Sequence, residues 1–287
     1  MMNIVEKGYG KINLALAITG RRADGYHNID TIFQSIGLCD AVTVSEADVF
    51  ELTCSQPSLA CDETNLPIRL GRRFVRIKRT INRWLSTSKS ISPSPPDWPA
   101  AVPIAPLSCA ASTASGGWGC QKKNSAASVP ASARRAFCIC GGTMRGTGIG
   151  EELKRLPPLP AWPVVIVHPR VPVQTKQAYA LFDSRSHTAP VAVDAVEQAV
   201  RAGDFQGLTV AMRNTFEELV IPNVPQVADC QQRLTALGLQ PLMAGSGPTV
   251  FALVPPGQEE AVRSQTAAWH DVDVYMTAIV KRVEGER

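Results

Sequence analysis

The chain has 287 residues, of which 45% are hydrophobic and 19% are charged, and its formal net charge is +4. This length and apolar content suit one large domain or two closely packed ones. The sequence has no apolar run of eighteen residues, and its start lacks a signal-peptide pattern. We therefore expect a cytoplasmic protein with no membrane partner. The eight cysteines are scattered, so we expect reduced thiols and no metal site.

The net charge is distributed very unevenly along the chain. Residues 67–136 contain eight arginines and four lysines against one acidic residue, Asp97, which gives this segment a charge of +11. The rest of the chain contains 17 basic and 24 acidic side chains, which gives −7. The basic segment therefore differs in kind from the two flanks.

The first flank, residues 1–66, has the pattern of an α+β fold. Lys11–Leu16 alternates polar and apolar residues, which predicts a half-buried strand. The glycine-rich, charged stretch Gly20–His27 predicts a loop. The remaining predictions in this flank are a strand or short helix at Ile29–Leu38 and strands at Ala41–Val44 and Val49–Leu52.

Strands and helices alternate in the second flank, after residue 137, which predicts a two-layer α/β sandwich. Pro163–Val167 predicts a buried strand. Leu242–Leu253 predicts a glycine turn that leads into a strand, and Val272–Val280 predicts the last strand. Helices are predicted at Asp194–Ala202, Leu208–Leu219, Val224–Leu237 and Glu259–Trp269.

Short motifs follow one another in the flanks in a fixed order. In order and spacing they resemble the 4-diphosphocytidyl-2-C-methyl-D-erythritol kinases, a family within the GHMP kinase superfamily. The resemblance covers residues 1–66 and 137–287, and the Ala-Asp-Gly-Tyr-His run is its most specific part. The motifs are Lys11–Leu14, Arg22–His27, Asn65–Leu66, Gly141–Thr143 with Gly148–Glu151, and Gly245–Phe251.

The resemblance implies an α+β, two-domain GHMP kinase fold. It places an N-terminal domain of the ribosomal protein S5 domain 2 type at residues 1–158 and a ferredoxin-like C-terminal domain at residues 159–287. The implied reaction is ATP-dependent phosphorylation of the 2-hydroxyl of a CDP-linked methylerythritol in the non-mevalonate isoprenoid pathway, with ATP and Mg²⁺. We expect this small molecule as the partner, no nucleic acid, and a monomer or weak homodimer.

The resemblance also implies roles for individual residues near the N-terminus. Lys11 would be the catalytic cation near the hydroxyl nucleophile, and Asn13 would orient a substrate hydroxyl. His27 would hydrogen-bond the pyrimidine edge. The ring of Tyr26 would stack on cytosine, which is worth about 1–3 kcal/mol. The family's pattern places an ATP contact at Asn65.

The second half of the chain supplies the other implied contacts. Thr175 and Tyr179 would form the second nucleobase contact. Gly245, Ser246 and Gly247 would let the backbone approach a ligand where a Cβ atom would clash. Each motif alone also fits a purely structural role, since Lys11 could face solvent and the glycine loop could be a plain β-turn. Their common order favours the functional interpretation.

The basic segment lacks two features that the resemblance requires. A glycine-rich phosphate loop opening a helix should hold the triphosphate, and an aspartate should accept the hydroxyl proton. Neither occurs between Leu66 and Phe137, and Arg134 and Arg135 lie about where the aspartate is expected. We therefore expect residues 67–135 to be poorly ordered and the activity of this exact chain to be impaired.

A shifted reading of the codons accounts for the missing loop. Combining the third base of each codon with the next two forces leucine at Asp97-Trp98 and alanine at Trp98-Pro99. Extended over Ile91–Ile104, the shift permits the sequence IPVAAGLAGGSSD, which matches the family's phosphate loop. We interpret residues 67 to about 135 as a kinase segment translated out of frame.

Two alternatives remain open at this point. One is a catalytically dead, kinase-derived protein whose basic segment binds nucleic acid. The other is a GHMP kinase that acts on another small molecule, such as mevalonate or homoserine.

Overall fold

A computed structural model describes the backbone of residues 3–45, 52–54, 85–90, 142–185 and 188–281. It describes the side chains of residues 9–39, 142–185 and 188–281. The chain forms two compact units. The first consists of Met1–Gly10 and Leu38–Cys140, and the second of Lys11–Gly37 and Gly141–Arg287. The predicted domain boundary at residues 158 and 159 stays a prediction.

The described part of the first unit contains one end of a seven-stranded sheet. The end of strand β2 (His27–Ser45) pairs antiparallel with β4 (Leu85–Ser90), and β4 also pairs parallel with β3 (Leu52–Cys54). Apart from β4, residues 67–135 lie outside the described part, so their predicted low order stays a prediction. The predicted strand at Val49–Leu52 lies outside the described residues except for Leu52, the first residue of β3.

Strand β2 corrects one prediction. Ala41–Val44 is not a separate strand, because β2 runs unbroken from His27 to Ser45. Gly37 does not make a turn within β2. A Cβ atom there would lie 3.0 Å from Thr277 Oγ1, so this glycine allows a close approach between strands.

The structure describes two sheets. The seven-stranded sheet continues through β1 (Asn3–Arg21) and β2, of which Lys11–Arg21 and His27–Gly37 belong to the second unit. A turn at residues 22–26 joins these strands, closed by a hydrogen bond from the Arg22 N–H to the Tyr26 carbonyl. The predicted strand at Lys11–Leu16 and loop at Gly20–His27 are therefore confirmed, although β1 extends to Arg21. The other strands are β5 (Thr143–Thr147) against β2, β6 (Glu152–Arg155) against β5, and β8 (Arg213–Asn214) parallel to β1.

The second sheet of this unit has four antiparallel strands. In sequence order they begin at Pro163, Pro241, Val250 and Asp273. In the sheet the last of them lies beside the first, and the third lies between the first and the second. Helices separate the first strand from the second and the third from the last, which makes this a ferredoxin-like topology, as predicted. The strands are β7 (Pro163–His168), β9 (Pro241–Met243), β10 (Val250–Leu253) and β11 (Asp273–Ala278).

The α-helices of the described residues lie in the second unit. The helices at Val193–Ala202, Pro225–Ala236 and Glu259–Thr266 confirm predicted helices, whereas the helix at Thr175–Asp183 was not predicted. No helix of the described residues is long and apolar enough to cross a membrane. The α-helices are α1 (Thr175–Asp183), α2 (Val193–Ala202), α3 (Phe205–Ala211), α4 (Glu217–Val220), α5 (Pro225–Ala236) and α6 (Glu259–Thr266).

The single helix predicted at Leu208–Leu219 is wrong. The structure has α3 and α4 there, separated by strand β8, which pairs with Ala15 and Leu16 of β1. Pairing with β1 outweighs the helical spacing of the apolar residues, because local propensity is a weak determinant compared with tertiary contacts.

The core of the second unit lies between the four-stranded sheet and its helices. Val165 and Val167 of β7 are fully buried, as the apolar run predicted, and pack with Phe216 and with Leu234 of α5. Leu16 of β1 belongs to the same cluster. The core therefore fixes β1 and its polar residues against the second sheet.

Candidate active site

A chain of buried hydrogen bonds positions Lys11 on β1. Lys11 Nζ donates to Asn13 Oδ1 at 2.7 Å, and Asn13 Nδ2 donates to Thr31 Oγ1 at 2.8 Å. The Thr31 hydroxyl donates in turn to the carbonyl of Ala15 at 2.6 Å. Asn13 and Thr31 are buried, and Lys11 is half-buried. Lys11 and Asn13 point to one side of β1 because they are two residues apart on a strand.

The glycine loop, residues 244–249, lies against this pair. A Cβ atom at Gly245 would be 3.6 Å from Lys11 Nζ and 3.7 Å from Asn13 Oδ1. The φ angles of Gly245 and Gly247 are 58° and 82°, a region that favours glycine. The structure thus brings together Lys11, Asn13 and Gly245, three of the predicted site residues.

Asn214 holds the glycine loop in this position. Its amide nitrogen donates to the carbonyls of Met243 and Gly245, both at 2.7 Å, and its Oδ1 accepts from the Phe216 N–H at 3.0 Å. Asn214 is buried and pairs with Leu16 in the β1–β8 ladder. The loop is therefore attached to the strand that carries Lys11.

Glu217 supports the same loop from the other side of Met243. Its Oε1 accepts hydrogen bonds from the Met243 N–H at 2.8 Å and from the Gln231 amide. Burial raises the pKa of Glu217 to about 7, against the opposing effect of these two donors and of the Arg213 charge. Neither Glu217 nor Asn214 was predicted as a site residue.

Thr175 and Ser246 form a second contact of the glycine loop. Their hydroxyls are hydrogen-bonded at 2.9 Å, although they are 71 residues apart. Thr175 is the first residue of α1, so this bond connects the loop to that helix. Two further predicted site residues therefore meet.

His27, at the start of β2, lies in an aromatic cluster. Its ring stacks on Tyr179 with centroids 4.7 Å apart and meets Phe182 edge-on at 5.7 Å. His27 Nε2 lies 2.7 Å from Asp183 Oδ1, and the residue is only 8% exposed. The predicted residues His27 and Tyr179 are thus in direct contact, and the contact to Asp183 was not predicted.

Tyr26 and His27 are both predicted to contact the nucleobase, and Tyr26 is the exposed one of the two. It is 57% exposed, although it is a large aromatic side chain. Its N–H donates to Asp24 Oδ1 at 3.1 Å within the turn. An exposed ring on a fixed turn is available for stacking against a flat ligand.

A cluster of ion pairs connects β2, β5 and α2. Arg145 on β5 binds both carboxylate oxygens of Asp30 and also contacts Asp194 and Glu197. The hydrogen bond from Arg145, together with those from Arg201 and Lys154, lowers the pKa of Glu197 to about 2 against the opposing effect of burial. This cluster stabilises the fold around β2.

Asn65, the predicted ATP contact, lies outside the described residues. The positions of the missing phosphate loop and aspartate lie there too. Among the described residues, no group of three His, Cys, Asp or Glu side chains is placed to hold a metal ion.

Comparison with known proteins agrees with this architecture. The family model "GHMP kinases C terminal" matches residues 196–270. A 4-diphosphocytidyl-2-C-methyl-D-erythritol kinase of Moorella thermoacetica is 32% identical over 263 residues, covering 87% of this chain and 90% of the relative. The kinase of the same name from Desulfitobacterium hafniense is 31% identical over 287 residues, covering 96% and 95%.

A solved structure shows the same fold. The crystal structure of a 4-(cytidine 5'-diphospho)-2C-methyl-D-erythritol kinase superposes with a TM-score of 0.73 at 24% identity and covers 96% of this chain and 99% of its own. The GHMP kinase fold predicted from the motifs is confirmed. With relatives about 30% identical over nearly the whole length, the chain belongs to the 4-diphosphocytidyl-2-C-methyl-D-erythritol kinase family.

Proposed function

We propose that the site transfers the γ-phosphoryl group of ATP to the 2-hydroxyl of 4-diphosphocytidyl-2-C-methyl-D-erythritol. One observation carries the proposal for this chain. Lys11, Asn13 and the glycine loop meet in one place, as the phosphoryl-transfer site of the family requires. Membership of the family supplies the reaction class.

The Lys11 ammonium is the cation at the centre of the site. Phosphoryl transfer depends mainly on positioning and on stabilising negative charge. Asn13 Oδ1 holds Nζ in place, so little reorganisation is needed when charge develops on the attacking oxygen. Asn13 Nδ2 donates one of its two N–H groups to Thr31, which leaves the other N–H and the second lone pair of Oδ1 for orienting a substrate hydroxyl.

The aromatic cluster at His27 is the proposed cytidine end of the site. The exposed ring of Tyr26 offers a face for stacking, while His27 and Tyr179 offer a rigid edge. The Thr175–Ser246 hydrogen bond connects α1, which carries Tyr179, to the glycine loop beside Lys11. This hydrogen bond fixes the position of α1, at the cytidine end, relative to the glycine loop at the reactive end.

The family uses ATP as its phosphoryl donor, and we propose Mg²⁺ as the accompanying ion. Mg²⁺ commonly binds through substrate phosphates and one or two carboxylates. Such a mode fits the described residues, which lack a cluster of three metal-ligating side chains.

We further propose that this exact chain turns over slowly, since residues 67–135 contain neither the phosphate loop nor the aspartate of the family. The out-of-frame origin of that segment stays a prediction, and sequencing the gene around codons 66 and 135 tests it directly. A frame-restored chain, in which residues 67–135 follow the shifted reading, is the matched comparison.

The decisive experiment measures ATP-dependent phosphorylation of the CDP-linked substrate by both chains. We expect turnover by the frame-restored chain and turnover at least about a hundredfold lower by the present chain. Equal rates would disprove the proposal of low activity. Failure of the frame-restored chain to phosphorylate the substrate would disprove the proposed function.

The two alternatives fare differently. Family membership and the Arg22–His27 motif disfavour a kinase for mevalonate or homoserine, and a substrate panel on the frame-restored chain checks this. Nucleic-acid binding by residues 67–136 stays an untested alternative to our expectation of no nucleic-acid partner, because only β4 of that segment is described. Its mark would be RNA or DNA affinity that falls steeply with added salt.

A further inference from the structure

Asp183, the last residue of α1, fixes one nitrogen of the His27 ring. Its Oδ1 lies 2.7 Å from His27 Nε2, and its Oδ2 lies 3.5 Å from Arg21 Nη1. A carboxylate only accepts hydrogen bonds, so His27 Nε2 must be the donor in this contact. The His27 side chain is 5% exposed, which shields the contact from competing water.

The surrounding rings keep His27 in one orientation. Tyr179 covers one face with an interplanar angle of 18°, and Phe182 meets the ring at 90°. A flip of the ring would break the contact to Asp183. Among the residues that the structure describes, none hydrogen-bonds His27 Nδ1.

This geometry determines what His27 offers to a ligand. In a neutral imidazole one nitrogen carries the proton and the other a lone pair. Because Nε2 donates to Asp183, the lone pair is on Nδ1. The ring therefore presents a hydrogen-bond acceptor at Nδ1.

Resting on the proposed function, we propose that Asp183 is a specificity-determining residue that selects cytosine over uracil through His27. The base-pairing edge of cytosine has a single donor, its exocyclic N4 amine, so an acceptor at Nδ1 must bind cytosine there. Uracil carries a carbonyl oxygen at that position and would place two acceptors face to face. Asp183 thus acts on the ligand through His27 and is a positioning residue.

Loss of Asp183 would remove the acceptor that keeps the proton on His27 Nε2. His27 could then carry its proton on Nδ1 and donate to the O4 carbonyl of uracil. Discrimination between the two bases would collapse, while stacking on the aromatic rings would persist. A merely structural role for Asp183 would instead weaken both ligands equally.

The test is titration of the full chain with CDP and with UDP at pH 8 by calorimetry. We expect the unsubstituted chain to bind CDP about tenfold to a hundredfold more tightly than UDP, the range that one mismatched buried hydrogen bond produces. In Asp183→Ala we expect the ratio to fall to within about threefold. Ser184→Ala is the matched control, because Ser184 ends the same helix with a hydrogen bond to the Leu181 carbonyl.

A second measurement reads the tautomer itself and does not depend on a folded variant. Nitrogen-15 spectra of the histidine rings of the unsubstituted chain should show His27 protonated at Nε2 and unprotonated at Nδ1. A proton on Nδ1 would overturn the inference.

The binding outcomes separate the two levels of the proposal. CDP binding with an unchanged CDP-to-UDP ratio in Asp183→Ala would overturn the inference and leave the proposed function standing. Absence of CDP binding by the unsubstituted chain would overturn the proposed function and this inference with it.

Discussion

The two ends of the candidate site are held in place by different kinds of contact. At the reactive end, Lys11, Asn13 and Thr31 lie on neighbouring strands and are bonded over at most 18 residues of sequence. At the cytidine end, His27 is fixed by Asp183, 156 residues away.

Under the proposed function, this difference separates the residues of the chemical step from those that recognise the base. The β1–β2 hairpin presents Lys11, Asn13 and Thr31 on one surface, so these three residues need few contacts from distant segments, whereas the glycine loop beside them is held by Asn214. The cytidine end depends on α1, because Tyr179 and Asp183 of that helix contact His27. We therefore expect substitutions at the reactive end to reduce turnover and substitutions at the cytidine end to reduce affinity.

Replacement of Lys11 should have the largest effect and should separate the two ends most clearly. In the frame-restored chain we expect Lys11→Met to lower kcat by about 10²–10³-fold, because a fixed charge at the developing oxyanion is lost. CDP affinity should stay unchanged, as measured by calorimetry. The matched control is Lys281→Met, which removes an exposed lysine near the C-terminus. A loss of CDP affinity in Lys11→Met as large as the loss of kcat would contradict the separation of catalysis at the reactive end from binding at the cytidine end.

The free energy of unfolding should depend on pH through Glu217, which supports the glycine loop beside Lys11. Burial raises the pKa of this carboxyl from 4.5 to about 7, so the folded state binds more protons than the unfolded state between these values. The free energy of unfolding should therefore fall as pH rises from 4.5 to 7, by about 3 kcal/mol from this group.

Glu217→Gln tests this directly, because the glutamine oxygen can still accept from the Met243 N–H. Urea unfolding at pH 5 and pH 8 should show a smaller difference between the two pH values in this variant than in the unsubstituted chain. Glu218→Gln, at the exposed neighbouring position, is the control and should leave the difference as it is. An unchanged pH dependence in Glu217→Gln would show that Glu217 titrates normally.

Asn214 is the distant residue that holds the glycine loop at the reactive end. Its replacement therefore tests how far this end depends on contacts between segments that are far apart in sequence. Asn214→Ala removes the donors to the carbonyls of Met243 and Gly245 and should lower the free energy of unfolding by about 2 kcal/mol. We also expect kcat of the frame-restored chain to fall about tenfold at unchanged CDP affinity, since the loop loses its attachment beside Lys11.

The control for Asn214 is Asn223→Ala. Asn223 donates one hydrogen bond, to the carbonyl of Leu219 at 2.7 Å, away from the glycine loop. Asn223→Ala should lower the free energy of unfolding by about 1 kcal/mol and leave turnover unchanged. Unaltered turnover in Asn214→Ala would mean that the loop holds its position without this residue.

The contrast between the ends also explains what the sequence could predict. Lys11, Asn13 and the glycines were identified because they belong to motifs that resemble the family. The alternation of polar and apolar residues predicted only the strand that carries Lys11 and Asn13. Asn214 was missed because its segment has helical spacing, and only pairing with β1 makes it a strand. Asp183 was missed because nothing in the local sequence shows which distant side chain α1 brings to His27.

Tyr26 should show the smallest effect, and it completes the comparison at the exposed edge of the cytidine end. We expect Tyr26→Leu to weaken CDP binding by about five- to tenfold, which corresponds to about 1 kcal/mol of stacking, at the low end because the ring is 57% exposed. The CDP-to-UDP ratio should not change, since every base has a flat face and the choice between bases is made at His27. Tyr26→Phe keeps the ring and should bind CDP as the unsubstituted chain does. If Tyr26→Leu altered the CDP-to-UDP ratio, the choice of base would not depend on the His27–Asp183 contact alone. The turn that carries Tyr26 would then contribute to that choice together with α1.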